Sequence, residues 1–187
     1  MSLFWQKLLH QIFPLQCLHC HHSIYDFPKT FCKSCIDLTL SFSSSTLEHG
    51  CFDIESPFYS LWKMYKQTSF KRYLKDCAAF VAIRLSYLDK KFSLISFLET
   101  NEYPRRQILE ELSVEIARFY GMKHEQYFYY EIEEEVFDKH GNILSQIKDL
   151  NKVVDEKILV ICEDLKQIPA DFLEKKKSLG FVFISLF

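Results

Sequence analysis

The stretch from Cys17 to Cys35, CLHCHHSIYDFPKTFCKSC, carries two Cys-x-x-Cys pairs separated by eleven residues. A Cys-x-x-Cys turn presents two thiolates toward one point, and two such turns supply the tetrahedral sulfur set that zinc takes in structural sites. Asp26 and Pro28 are turn formers, so the segment between the pairs reads as a tight hairpin that closes one pair onto the other. Four unrelated buried cysteines, or a redox pair, are the alternative; the doubled spacing favours zinc on Cys17, Cys20, Cys32 and Cys35. His19, His21 and His22 are spare donors, any one of which could replace a cysteine. With four thiolates present, they are expected beside the metal or in solvent. Four protein ligands leave no coordination position for an activated water, so the expected role of the metal is structural. Cys51, Cys77 and Cys162 fall outside the spacing and read as small core residues.

A chain of 187 residues suits one domain, or one with a small appendage. Eighteen Phe and ten Tyr give that domain a bulky core. A formal charge of −2 argues against a protein that coats nucleic acid by charge alone, and no long stretch is polar and charged enough for disorder. The first residues, MSLFWQKLLHQIFP, are apolar but interrupted by Lys7 and lack a small-residue cleavage site, so they do not read as an export signal. No apolar run approaches the length of a membrane span, so no stable membrane insertion is expected. Trp5, Leu8, Leu9 and Ile12 fall at helical spacing, which predicts an amphipathic helix over 1–14 that packs on its own domain. The expected compartment is the cytoplasm, with the cysteines as thiols or ligands. A zinc ribbon over 15–40 follows, then a linker over 41–56 marked by SFSSST and Gly50, then a main domain over 57–187.

Within the main domain, SFKRYLKDCAAFVAIRLSYL predicts a helix from near Ser69, with Tyr73, Cys77, Phe80 and Ile83 or Arg84 at helical spacing. FSLISFL reads as a short buried strand. RRQILEELSVEIARFYG predicts a helix that buries Ile108, Leu112, Ile116 and Phe119 and stops at Gly121. QYFYYEIEEEVF alternates as a strand with Phe128, Tyr130 and Ile132 on one side; Glu133 to Glu135 read as its solvated end and not as an acid/base pair. DKHGNI has turn chemistry, and a helix is expected from about Leu144 to Val153. KILVICEDL is a buried strand entering a loop, Pro169 opens a helix, and Gly180 releases the chain into FVFISLF. Helices alternating with short apolar strands predict an α/β fold with a parallel sheet. Ligands of such sheets sit beyond the carboxyl ends of strands, which singles out Glu163 and Asp164. Two acids opening a loop or helix are the plainer account of that pair.

This order of parts resembles the ComF family of competence proteins, which are phosphoribosyltransferase-like with an N-terminal zinc ribbon. FPLQCLHCHHSIYDFPKTFCKSC is similar to the family's opening, and MYKQTSFKRYLKDCAAFVAIRL to its Lys-rich entry into the first main helix. PRRQILEELSVEIARFYGM sits where the family carries an Arg-Gly-Phe-Asn-Gln motif; Arg105, Arg106 and Gln107 remain as rough counterparts, without the glycine and asparagine. In ILVICEDLKQIPADF, Glu163 and Asp164 match the acids that the resemblance implies hold ribose hydroxyls of phosphoribosyl pyrophosphate, often with magnesium. The phosphate-loop positions are then Gln167, Ile168, Pro169 and Ala170. Such a cradle uses backbone N–H groups, close glycine approach and hydroxyl donors. Ile168 adds no side-chain donor, Pro169 has no N–H, and none of the chain's four glycines lies there. Each charge-assisted hydrogen bond lost costs about 1.5–3 kcal/mol, so a degenerate, non-catalytic member is expected, with Glu163, Asp164, Arg105 and Arg106 as vestiges of a substrate site.

Residues 57–91 hold eight Lys or Arg against two acids. Lys63, Lys66, Lys71, Arg72 and Lys75 interleave with Trp62, Tyr65, Phe70 and Tyr73, a pattern that suits single-stranded DNA, where cations follow phosphates and rings stack on bases. The plainer account puts the rings in the core and leaves the lysines on a solvated face. The resemblance implies a role in DNA uptake or recombination, with a competence or recombination protein as partner. Two other functions stand beside it: residual phosphoribosyltransferase or phosphoribosyl hydrolase activity on Glu163/Asp164 with magnesium, and a zinc-stabilised scaffold for protein interactions.

Overall fold

The structure is a computed structural model that describes residues 15–24, 30–41, 50–87, 92–98, 108–125, 128–137, 143–149, 157–168, 170–177 and 181–187. The expected helix over 1–14, the turn formers Asp26 and Pro28, half of the linker (42–49), Arg105, Arg106 and Gln107, and the punctuation at Gly141, Pro169 and Gly180 lie outside them.

The chain opens on two short strands, β1 (Leu15–Gln16) and β2 (Ser23–Ile24), paired antiparallel. The tight return between them uses a left-handed residue, His21 at φ 59°. Helix α1 (Lys33–Leu40) completes the ribbon. Helix α2 (Pro57–Thr68) begins with proline in its first turn, where the missing N–H costs nothing. It buries Phe58, Leu61, Trp62 and Tyr65, one stripe at helical spacing. Ser69, at φ 63°, ends it, and α3 (Lys71–Leu85) starts at once. The basic segment thus belongs to two helices, where the sequence had suggested only the second.

Strand β3 (Leu94–Leu98) leads to helix α4 (Ile108–Tyr120), then to the two-residue strand β4 (Lys123–His124). Strands β5 (Phe128–Phe137) and β6 (Ile143–Asp149) form an antiparallel hairpin. After them come β7 (Ile158–Cys162), a 3-10 turn over Leu165–Gln167, helix α5 (Ala170–Lys177) and β8 (Phe181–Ser185). The main sheet has the order β4-β3-β7-β8, and all its pairs are parallel, as the alternation of elements predicts. LISFL and ILVIC are buried at every position, the signature of strands covered on both faces.

Two expectations are corrected. Ile143–Asp149 is strand, where a helix from Leu144 was expected. Its antiparallel pairing with β5, which runs from Phe128↔Asp149 to Phe137↔Ile143, outweighs the local helical spacing. In α4 the inward face is Leu109, Leu112, Ser113, Ile116 and Ala117, whereas Phe119 is 57% exposed and Ile108 half-buried. The helix still ends where expected: Gly121 is left-handed at φ 64°, and the Met122 N–H returns to the Ala117 carbonyl.

The sheet separates two cores. One joins α2, α3 and α4 to Cys17, Ile24, Phe31 and Cys35 of the ribbon. The other packs Leu98, Val160, Ile168 and Phe183 beneath Phe172 and Leu173 of α5. Cys51, Cys77 and Cys162 are fully buried as expected, and burial raises all three thiols, Cys51 to about 12.

Candidate metal centre

The two Cys-x-x-Cys turns come together. One sulfur from each of Cys17, Cys20, Cys32 and Cys35 lies within 4.8 Å of the other three, a spacing that fits ligands around one ion. Cys20 Sγ and Cys32 Sγ are 3.6 Å apart. Cys17 and Cys35 are buried, Cys32 is half-buried and Cys20 is exposed. Backbone geometry supports the cluster: the Cys17 N–H donates to the His22 carbonyl at 2.9 Å, the His21 N–H to the Cys17 carbonyl at 3.0 Å, and the Cys32 N–H to Cys17 Sγ at 3.4 Å. Burial alone would raise the Cys17 thiol, but N–H groups of Cys20, Cys32 and His19 bring it down to about 6, the direction that makes a thiolate available. Cys35 is pushed up, first by burial and then by its neighbouring sulfurs. A cation among them relieves that crowding of like charge. The donor set and its closure therefore fit a four-coordinate metal. His19 reaches the main domain, its Nδ1 3.1 Å from Ser60 Oγ of α2.

The ribbon is fastened to the main domain beside this cluster. The Leu18 N–H donates to the Thr30 carbonyl at 3.1 Å, and Thr30 Oγ1 donates to the Asp76 carboxylate of α3 at 2.7 Å. Between the two lies a groove of about 420 Å³, in which Leu15, Gln16, Leu18 and Thr30 of the ribbon face Phe70, Lys71, Arg72 and Tyr73. Phe70 is 63% exposed, and its ring lies 6.0 Å from that of half-buried Tyr73 at 55°. Helix α3 starts here without a side-chain cap or an acid in its first turn, so positive helix end and cations coincide. The other residues of the basic segment part company with this groove. Trp62 and Tyr65 lie in the core, as the plainer account of the sequence had it. Lys66 pairs with Glu163 at 2.7 Å. Lys63 and Lys75 are exposed but do not line the groove.

Glu163 and Asp164 stand at the carboxyl end of β7, beside β3. The sheet continues from β3 to β4 on one side and to β7 on the other, which makes this the point where strand order reverses. Both acids are engaged. Glu163 Oε1 accepts from Trp62 Nε1 at 3.0 Å and from Lys66 Nζ at 2.7 Å. Its carbonyl accepts from the Phe187 N–H and from Ser185 Oγ. Asp164 accepts from the Lys166 N–H at 2.9 Å and caps the 3-10 turn. Ile168, at a phosphate-loop position implied by the resemblance, is 5% exposed and belongs to the core.

Sequence reasoning passed over the contact between Ser113 Oγ and His124 Nε2, 2.8 Å apart. It has the composition of a nucleophile and its base, but not the arrangement. Ser113 is fully buried and gives its proton to the Glu110 carbonyl at 2.9 Å. The imidazole must then donate to Oγ, so it cannot act as its base. Burial lowers His124, partly countered by the Glu110 carboxylate, and its ring stacks on Phe97 at 5.8 Å. This is a polar clasp between α4 and the sheet edge, and no signal in the sequence marks it.

Searches against models of protein families, curated proteins and solved structures return no match to this chain.

Proposed function

We propose that this chain is a non-catalytic, zinc-stapled module of ComF type, with a phosphoribosyltransferase-like scaffold, that holds single-stranded DNA in the groove between its ribbon and α3. The observation that carries the reading is the groove itself. It brings an exposed phenyl ring and a second ring together with Lys71 and Arg72 at the start of a helix, the combination of stacking surface and cation that suits unpaired bases and their phosphates. The occupied acidic pair supports the non-catalytic half. Glu163 Oε1 and Asp164 Oδ1 already accept from Trp62, Lys66 and a backbone N–H, which fixes these carboxylates in structural bonds and leaves fewer acceptor sites for ribose hydroxyls. Zinc is the metal that a four-thiolate set selects most readily. A thiol-rich chain of this kind suits the reducing cytoplasm, where the DNA-uptake or recombination role implied by the resemblance would be carried out with a protein partner of that pathway.

The test is fluorescence anisotropy of zinc-loaded protein with a labelled single strand, titrated over salt. Replacing Lys71 and Arg72 by methionine should flatten the slope of log affinity against log salt by about 1.4, at about 0.7 per phosphate contact on single strands. Phe70→Ala should cost about 1–3 kcal/mol of binding. Affinity and slope unchanged in all these variants would defeat the DNA reading and favour a protein-interaction scaffold. Turnover of phosphoribosyl pyrophosphate with magnesium that disappears in Asp164→Asn would instead make the chain an enzyme.

A further inference from the structure

We propose that Cys20 and Cys32 form an oxidation site through which a hydroperoxide expels the metal and dismantles the groove. The inference rests on the DNA reading only for its last consequence. Three observations lead to it. First, the four sulfurs are unequally accessible: Cys17 and Cys35 are buried, whereas Cys20 faces solvent. A hydroperoxide arriving from solution therefore meets Cys20 first, and metal ligation keeps that sulfur as the nucleophilic thiolate. Second, Cys32 Sγ is 3.6 Å from Cys20 Sγ and belongs to the other Cys-x-x-Cys pair. A bond between them crosses the hairpin and takes one ligand from each pair.

Third, the wall of the groove depends on the cluster. Its ribbon side is held by a two-rung antiparallel ladder, Leu15↔Ile24 and Gln16↔Ser23, which is too short to stand alone in water. Leu18 lies within the first Cys-x-x-Cys turn, and its N–H bond to the Thr30 carbonyl spans to the second limb just before Cys32. Loss of the ion removes what holds the two limbs at that distance.

The chemistry balances with a hydroperoxide as the sole oxidant. The Cys20 thiolate attacks the terminal oxygen of the hydroperoxide and the O–O bond breaks, giving a sulfenic acid and an alkoxide, or hydroxide from hydrogen peroxide, that leaves as alcohol or water. The Cys32 thiolate then attacks the Cys20 sulfur, the S–S bond forms and hydroxide departs. With hydrogen peroxide, two thiolates and two protons yield one disulfide and two waters, and the sulfurs supply the two electrons. Two ligands are lost, and the ion leaves with them.

The experiment treats the zinc-loaded full chain with hydrogen peroxide. Released zinc is read with a chromogenic chelator, the disulfide by alkylation and peptide mass, and the Leu18 amide by hydrogen exchange. Expected are zinc release, a Cys20–Cys32 linkage and loss of Leu18 protection. DNA affinity should weaken by at least about tenfold, a loss corresponding to about 1.4 kcal/mol, and a thiol reductant with zinc should restore it. Cys20→Ser could lose the metal outright, so the decisive variant is Cys20→His, since a Cys3His set also holds zinc. It should bind zinc and resist peroxide several-fold longer. Zinc retained in the wild type, a disulfide that omits Cys20, equal release from Cys20→His, or unchanged Leu18 protection would each overturn the proposal. Zinc release with unchanged DNA affinity would overturn its control of the groove. Absence of DNA binding before oxidation would sink the DNA reading alone, because zinc, disulfide and exchange still score the oxidation site.

Discussion

Gly50 is held at φ +152°, and a Cβ built on it would sit 2.8 Å from the backbone carbon of Phe187. Gly121, at φ +64°, has nothing within 4 Å of the same position. The two glycines answer different demands. Gly121 needs only a left-handed conformation at a helix end, so Gly121→Ala should cost about 1–2 kcal/mol. Gly50 carries backbone strain and a collision with main chain that has no rotamer to change, so Gly50→Ala should cost more, about 2–4 kcal/mol when strain and displacement are combined. Urea midpoints at constant m-value would show it, and a Gly50 variant as stable as the Gly121 one would mean that the approach to Phe187 carries no energy. The helix stop at Gly121 was legible because its cause is local. Gly50 read as linker, since its constraint comes from the far end of the chain: Cys51 and Phe52 donate to the Ser185 and Leu186 carbonyls, and Phe52 stacks on Phe58 at 3.7 Å. The same distinction holds for Glu163. Its place after a buried strand can be read in the sequence, but its bonds to Trp62 and Lys66 cross about a hundred residues.

Among the elements, strands buried on both faces were the easiest to read, because LISFL and ILVIC leave no polar face to accommodate. Helices were harder wherever more than one stripe was apolar. In α4, Ile108, Leu112, Ile116 and Phe119 form one acceptable stripe, and Leu109, Leu112, Ile116 and Ala117 another. Packing against α3 and β3 decides, and it takes the second. Substitution separates the two. Leu112, fully buried, belongs to both, and Leu112→Ala should lose about 2–5 kcal/mol. Phe119→Ser should change stability by no more than about 0.5 kcal/mol, because the ring is 57% exposed. A Phe119 variant as damaging as the Leu112 one would restore the stripe expected from spacing. Strand β6 illustrates the limit of local reading from the other side, since ILSQIKD becomes strand through its partner FYYEIEEEVF and not through its own pattern. The basic segment was legible only in part, for a related reason: the helix from near Ser69 was expected, but the helix that precedes it was not. Its lysines and rings and the helix start near Ser69 were legible, but that Trp62 and Tyr65 turn inward while Phe70 stays outside is fixed by the packing of two helices.

For the molecule as a whole, the ribbon is not an independent bead. Cys17, Ile24, Phe31 and Cys35 share a core with α2 and α3, while the core beneath α5 contains no ribbon residue. The metal-ligand spacing was therefore legible from four cysteines, but the dependence of one half of the domain on them was not. This asymmetry sets an expectation for metal removal. A chelator at neutral pH should melt the ribbon and loosen the α2–α3 side, because a two-rung ladder and the short α1 cannot hold their shape without the ion. The α5 side and the sheet face packed on it should persist, since that core contains no ribbon residue. If the staple contributes about 3–5 kcal/mol, Tm should fall by about 10 °C, at roughly 2–4 °C per kcal/mol for a domain of this size. Far-UV circular dichroism should keep most of its amplitude, and amide exchange should accelerate at Leu18 and Cys32 before it does in Ile158–Cys162. An unchanged Tm would mean that the four sulfurs close without an ion. Complete unfolding would mean that the two cores are one cooperative unit, and that the ribbon stabilises the α5 side through the sheet between them.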